Sequence, residues 1–216
     1  MIGMGKINYS YGSRPRRNYT YIDFVRHLAP NLPKNDLVFF WKESLNWRKE
    51  NDIPLELFQK ICHWKSQRPY NKWVANISKK RVSDCWRNVL RCLKEYNIKG
   101  ALNELEELPG VRIPTASALL TAYDSNRFGI VDKRTLSVLA EKNYEKSINT
   151  KDYIDFINKL TDLKNAYLEL ANCSLRQIEF AIWHYYPIWW QGKKAINYGW
   201  GRNPTMKNEF IKNVRL

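Results

Sequence analysis

Apolar residues recur at helical intervals along almost the whole chain. Leu37, Phe40, Trp41 and Leu45 make one stripe, and Leu55, Phe58, Ile61 and Cys62 a second. Val82, Trp86, Val89, Leu90 and Leu93 follow, then Ala116, Leu119, Leu120 and Tyr123, and Leu136 with Leu139. Ile154, Ile157 and Leu160 run on into Leu163, Tyr167 and Leu170, and Ile178, Ala181, Ile182 and Tyr185 make the last stripe. Spacing of this kind puts the apolar side chains on one face of a 3.6-residue helix. No segment alternates with period two between hairpin turns, the mark of strands. The pattern predicts an all-α fold.

Punctuation supports this. Pro54 opens one helix, and Ser83-Asp84 is expected in the first turn of another. Gly100 is expected to close a basic helix, Pro114 to sit in the first turn of the next, and Pro187 to end the last. The divisions expected are a basic arm over 1–18, a folded body over 19–200 and a basic tail over 201–216. Within the body, 52–135 forms one part and the remainder a second.

Composition narrows the class of partner. The 216 residues hold 36 Lys and Arg against 21 Asp and Glu, a net charge of +15 with a pI near 9.7. Such an excess favours a polyanion. Arg14-Pro15-Arg16-Arg17, Lys79-Lys80-Arg81, Lys133-Arg134 and Lys193-Lys194 spread it along the chain. Membrane surfaces and acidic proteins remain open on charge alone, but no basic amphipathic helix lies near a terminus. Nine Trp and thirteen Tyr serve mostly the core, although aromatics interleaved with basic residues can also stack on bases. No apolar run approaches a membrane span, and the polar N-terminus has no signal-peptide core, so a cytoplasmic protein is expected, associated with the nucleoid in a prokaryote.

Cys62, Cys85, Cys92 and Cys173 show no Cys-x-x-Cys spacing. Iron–sulfur and zinc ligation are therefore not expected, and the thiols are read as reduced and buried. His27, His63 and His184 lack metal spacing and are read as surface or packing residues.

The chemistry concentrates in Leu108 to Asp132. Leu105 and Leu108 end a short acidic helix, Pro109-Gly110 turns the chain, and Pro114 opens an apolar helix. Gly110 allows the positive φ of a tight turn. The N-terminus of the following helix offers free amides and a positive dipole end, which suit a phosphate. Arg112 can add a contact. Phe128-Gly129-Ile130-Val131-Asp132 then brings one carboxylate to the start of a helix over 133–141. An Asp there is an ordinary N-cap, and Thr135 stands at N3. Capping leaves it able to act as well.

Leu108-Pro109-Gly110-Val111, Thr115-Ala116 and Gly129-Ile130-Val131-Asp132 resemble the helix-hairpin-helix (HhH-GPD) DNA glycosylase superfamily. The helical pattern from Asp52 to Tyr186 is compatible with that fold. The resemblance implies two helical lobes around a DNA-binding cleft and base flipping out of double-stranded DNA by a monomer. It makes Asp132 the catalytic carboxylate, stabilising positive charge on the sugar while water attacks. It implies DNA contacts by Pro109, Gly110, Val111, Arg112, Thr115, Lys133 and Arg134. It also implies a Na+ or K+ ion on the backbone carbonyls of Glu106, Leu108 and Val111. The region upstream of the hairpin lines the base pocket in this superfamily, which nominates Trp64, Lys65 and Arg68, with Asn76 behind them. Trp183 is expected mainly in the core.

Two departures stand out. The second Gly of the usual hairpin is Arg112 here, and the position that backbone-cleaving members fill with Lys is Pro114. Without an amine there, no Schiff base can form at that position. The resemblance thus implies a monofunctional glycosylase leaving an abasic site, unless Lys65 or Lys133 substitutes. Its role is base excision repair, or antiviral defence against phage DNA with modified bases. The alternatives are a DNA-binding protein that has lost the reaction and a basic helical scaffold.

Overall fold

The computed structural model describes residues 20–32 and 51–197. The two basic arms and the Leu37–Leu45 stripe lie outside the described residues. Among those described, every regular element is a helix. The elements are α1 (Tyr21–Leu28), α2 (Leu55–Lys65), α3 (Gln67–Lys72), α4 (Lys79–Lys94), α5 (Ile98–Glu106), α6 (Ile113–Tyr123), α7 (Lys133–Leu139), α8 (Thr150–Ala166) and α9 (Leu175–Asn197). Short 3-10 turns follow α1, α3 and α8. No helix among the described residues is long and apolar enough to cross a membrane.

Side-chain caps set the starts of several helices. The Thr20 hydroxyl accepts from Asp23 N, and the Asp23 carboxylate returns to Thr20 N at 2.9 Å. Asn149 and Asp152 repeat this reciprocal arrangement on α8. Ser174 and Gln177 do so on α9. Each such cap is worth about 1 kcal/mol.

Local structure departs from expectation at four places. The cap of α4 is Ser78, so Ser83-Asp84 lies a turn inside the helix. Gly100 does not close α4. Tyr96 takes the left-handed turn at φ 56°, and Asn97 caps α5 by accepting Gly100 N at 2.8 Å. Helix α8 stops at Ala166, leaving Leu170 in a separate 3-10 turn. Pro187 does not end α9. Ring contacts of Tyr186 with Trp189 and Trp190 span the proline, and Tyr185, Tyr186 and Trp189 pack on the core either side of it.

The core is built on α6. Its residues from Thr115 to Ala122 are buried all round, with the Ser117 and Thr121 hydroxyls donating to the Pro114 and Ser117 carbonyls of the same helix. Helix α2 covers one side with Phe58 and Ile61, and the α4–α5 pair contributes Trp86, Leu102 and Leu105. Helices α8 and α9 close the other side with Tyr153, Phe156 and Ile178. Both α1 and α7 pack on α9, where Phe24 meets the Tyr185 ring at 5.3 Å.

Candidate active site

The chain between α5 and α6 is a hairpin. Val111 N donates to Leu108 O at 3.0 Å, and Gly110 has φ +85°. A Cβ at Gly110 would stand 3.2 Å from the Pro69 carbonyl oxygen and 3.1 Å from Val74 Cγ2, so the turn needs glycine for its backbone and for its packing. Arg112 is the extended N-cap of α6, and its carbonyl accepts from Thr115 N and Ala116 N. Pro114 lies in the first turn of α6, as its sequence position suggested. Glu106 is half-buried nearby. Burial raises its pKa, against the pull of the Arg112 guanidinium and the Ile113 amide.

Of the hairpin residues nominated for DNA, Arg112 is exposed and Pro109 and Gly110 are half-buried. Val111 and Thr115 are buried, which removes their side chains from contact with a strand. The cation implied by the resemblance does not fit here. Arg112 Nη1 donates to the Val111 carbonyl at 3.3 Å, and Leu108 O already accepts from Val111 N. A guanidinium on one of the three proposed ligands repels a second positive charge. It arises from the Arg that replaces the second glycine.

Asp132 caps α7. Its Oδ1 accepts from Thr135 N at 2.9 Å, and Thr135 Oγ1 accepts from Asp132 N at 3.2 Å. The carboxylate is half-buried, and among the described residues Oδ2 makes no hydrogen bond. One carboxylate oxygen is thus held by the cap, and the other is not.

The loop before Asp132 is locked from three helices. Ser117 Oγ on α6 accepts from Val131 N at 3.1 Å, and Tyr153 on α8 donates to the Gly129 carbonyl at 3.3 Å. Glu179 on α9 accepts from Ile130 N at 3.2 Å. A Cβ at Gly129 would lie 2.8 Å from Leu160 Cδ1 and 3.2 Å from Glu179 Cβ, so any larger residue would force α8 and α9 side chains to move. Ser117 also ties the loop to the hairpin helix. It stands four residues past Ile113, a rise of about 6 Å, so hairpin and carboxylate are near neighbours.

A charged cluster surrounds the acid. Glu179 is 1% exposed and paired with Arg176, itself 4% exposed. Burial pushes the Glu179 carboxyl up to about 7. Arg176 and Lys65 oppose that rise, and the Asp132 charge adds to it. Lys65, the last residue of α2, is half-buried within electrostatic reach of Asp132, Glu179, Arg176 and Arg134. Burial lowers its pKa, and the two guanidiniums lower it further against the two carboxylates.

The remaining nominated residues divide. Trp64 and Arg68 are exposed, and so is Asn76. Lys133 donates to the Glu145 carbonyl at 2.7 Å. Arg134 stacks over the rings of Trp183 at 5.5 Å and Tyr186 at 5.7 Å, so half-buried Trp183 borders the cluster rather than filling the core. His184 packs on Phe180, and His63 on Tyr70. All four cysteines are buried, and burial raises the Cys62 and Cys85 thiols, which makes those two poor nucleophiles.

Sequence reasoning missed Glu179 and Arg176, which look like ordinary charges on a helix face. It also missed Trp73, which is 44% exposed, carries Lys72 over its ring at 4.6 Å and packs its Cβ on Gly110. Arg81 reaches the hairpin too, donating to the Glu107 carbonyl at 3.1 Å. Exposed Arg112, Arg81, Lys72 and Trp73 thus form a basic, aromatic face around the turn. Comparison of the chain with protein-family models, with curated proteins and with solved structures gives no match.

Proposed function

We propose that this protein is a DNA N-glycosylase in which the hairpin grips a strand and Asp132 acts on a nucleotide turned out of the duplex. The observation that carries the reading is the direct link between the two parts. One helix, α6, begins at the hairpin and holds the Asp132 loop through Ser117. Helix α3 and the turn after it pack on the hairpin at Pro69 and Val74, and the end of α2 holds Lys65 within electrostatic reach of the acid. In this reading α2–α6 make one lobe and α1 with α7–α9 the other, with Asp132 facing the cleft between them.

The chemistry follows from the parts. Breaking an N-glycosidic bond builds positive charge on the sugar, and a fixed carboxylate oxygen beside C1′ stabilises it. Oδ1 is anchored by the cap, so Oδ2 needs little reorganisation to meet the sugar or orient a water. Unstacking the base requires a few kcal/mol, which phosphate contacts by Arg112, Arg81 and Lys72 offset. The first product is free base and an abasic site. The substrate is a damaged or modified base, in genome repair or in defence against phage DNA carrying modified bases.

The test is to incubate the full chain with a panel of modified duplexes and with phage DNA, scoring free base and abasic sites. Asp132→Asn should end release while duplex affinity stays close to that of the unaltered protein. Normal release by Asp132→Asn would overturn the assignment of the acid.

A further inference from the structure

The far end of α4 carries a second face that the hairpin and the acid do not use. Helix α4 closes in a Schellman turn, with Asn97 N donating to Cys92 O at 2.8 Å and Tyr96 N to Leu93 O at 3.3 Å. The residue in the left-handed position of that turn is Tyr96, at φ 56°. Glycine is the usual occupant, because a Cβ there crowds the following carbonyl oxygen. Tyr96 gains nothing from burial in exchange, since it is 85% exposed. A strained backbone that holds a large ring out in water calls for a use of the ring in that position. The Arg127 guanidinium, from the loop after α6, lies 5.9 Å from the Tyr96 ring centroid. Arg91 and Lys94 are exposed on the last turns of α4, and among the described residues neither side chain makes a hydrogen bond or an ion pair. With Asn51, Arg87, Leu90 and Glu95 they line a groove of about 370 Å³. Arg87 pairs with Asp84, and Glu95 alone of the lining residues is acidic, so the groove stays cationic. Arg81 touches the hairpin, and Lys94 stands at the other end of α4, about 20 Å further along the axis.

We propose that this face binds single-stranded nucleic acid, with a base stacked on Tyr96 and the backbone held by Arg91, Lys94 and Arg127. Cations beside an exposed ring are the parts such binding needs, and stacking of this kind tolerates any base. An intact duplex keeps its bases stacked on one another, so it has no free base to offer the ring, whereas an unpaired strand does. Neither Asp132 nor the hairpin takes part, so this surface does not depend on the glycosylase reading.

The test uses the full-length protein with a short labelled oligothymidine, the matching oligouridine and a duplex, read by fluorescence anisotropy. At least one of the two single strands should bind, and Tyr96→Gly should weaken that binding by about tenfold or more while duplex affinity stays unchanged. Glycine suits the left-handed position, so this variant should unfold at the same midpoint or higher. Tyr96→Phe keeps a ring and should bind as the unaltered protein does. Changing Arg91 and Lys94 together to Gln should lower the slope of log K against log salt for the single strand by about 1.4, at about 0.7 per phosphate contact. Oligomers carrying 5-iodouracil, irradiated on the unaltered protein, should cross-link to Tyr96, as mapped by mass spectrometry. Failure of both oligomers to bind, single-strand affinity untouched by Tyr96→Gly, or cross-links confined to other residues would overturn the proposal. Equal losses on duplex and single strand would overturn it too, because the face would then belong to the duplex track. A lower unfolding midpoint with binding unaltered would make the ring a packing residue and end the proposal in the same way.

Discussion

Replacing Glu179 with Gln isolates the electrostatics beneath the Asp132 loop. The carboxyl is buried, accepts from Ile130 N and pairs with Arg176, and burial lifts its pKa from the ordinary 4.5 to about 7. Because the folded value lies above the unfolded one, the proton is held more tightly in the native state. The associated stability is fully present below pH 4.5, is lost as pH rises through about 7, and stays lost above that. A rise from 4.5 to about 7 is about 2.5 units, or on the order of 3 kcal/mol at 1.36 kcal/mol per unit. Gln has no proton to lose and can still accept from Ile130 N. Glu179→Gln should therefore gain stability relative to the unaltered protein by on the order of 3 kcal/mol between about pH 4 and pH 8. Urea unfolding of both proteins across that range measures it, and taking the difference cancels the titration of groups that Glu179 does not influence. A difference that does not change with pH would refute the reasoning, because a carboxyl with an ordinary pKa gives parallel curves.

Gly110→Ala should lower stability by about 1–3 kcal/mol, from a positive φ and a methyl group close to the Pro69 carbonyl. An unchanged denaturation midpoint would disprove the tight packing of the hairpin on α3 and the turn after it. Trp73→Ala removes an exposed ring, so stability should stay within about 0.5 kcal/mol while duplex binding weakens by about 1–3 kcal/mol. Fluorescence anisotropy with a labelled duplex checks it, and equal affinities would take the ring out of the DNA face. The logarithm of the binding constant should fall linearly with log salt, with Arg112→Ala reducing the slope by about one. A slope untouched by that substitution would mean Arg112 meets no phosphate.

The helical character, the hairpin and the Asp132 cap were legible because each depends on local rules. Stripe periodicity marks buried faces, Pro-Gly marks a turn, and Asp with Thr three residues later marks a helix start. Punctuation misled where a neighbour outweighed it. Asn97 and Tyr96 took the roles expected of Gly100, and ring packing carried α9 through Pro187. The charged cluster was illegible for a different reason. Glu179 and Arg176 differ from solvated charges only in lying on the buried side of α9, against a loop some 49 residues earlier in sequence. Lys65 was visible as a pocket candidate, but its approach to Asp132 is set by long-range packing of α2 on α6. Likewise the contact of Arg112 with the Val111 carbonyl arises from the folded hairpin and has no signature in local sequence.

Asp132 answering to positive charge on the sugar is the centre of this account, and paired abasic-site analogues test it most directly. One duplex carries a cationic pyrrolidine in place of the sugar, and the other carries the neutral tetrahydrofuran of similar shape. The unaltered protein should bind the cationic duplex tighter by about tenfold or more, equivalent to about 1.4 kcal/mol, and Asp132→Asn should bind the two alike. A preference that survives in Asp132→Asn, or that is missing from the unaltered protein, would contradict the claim that this carboxylate stands beside the reacting sugar.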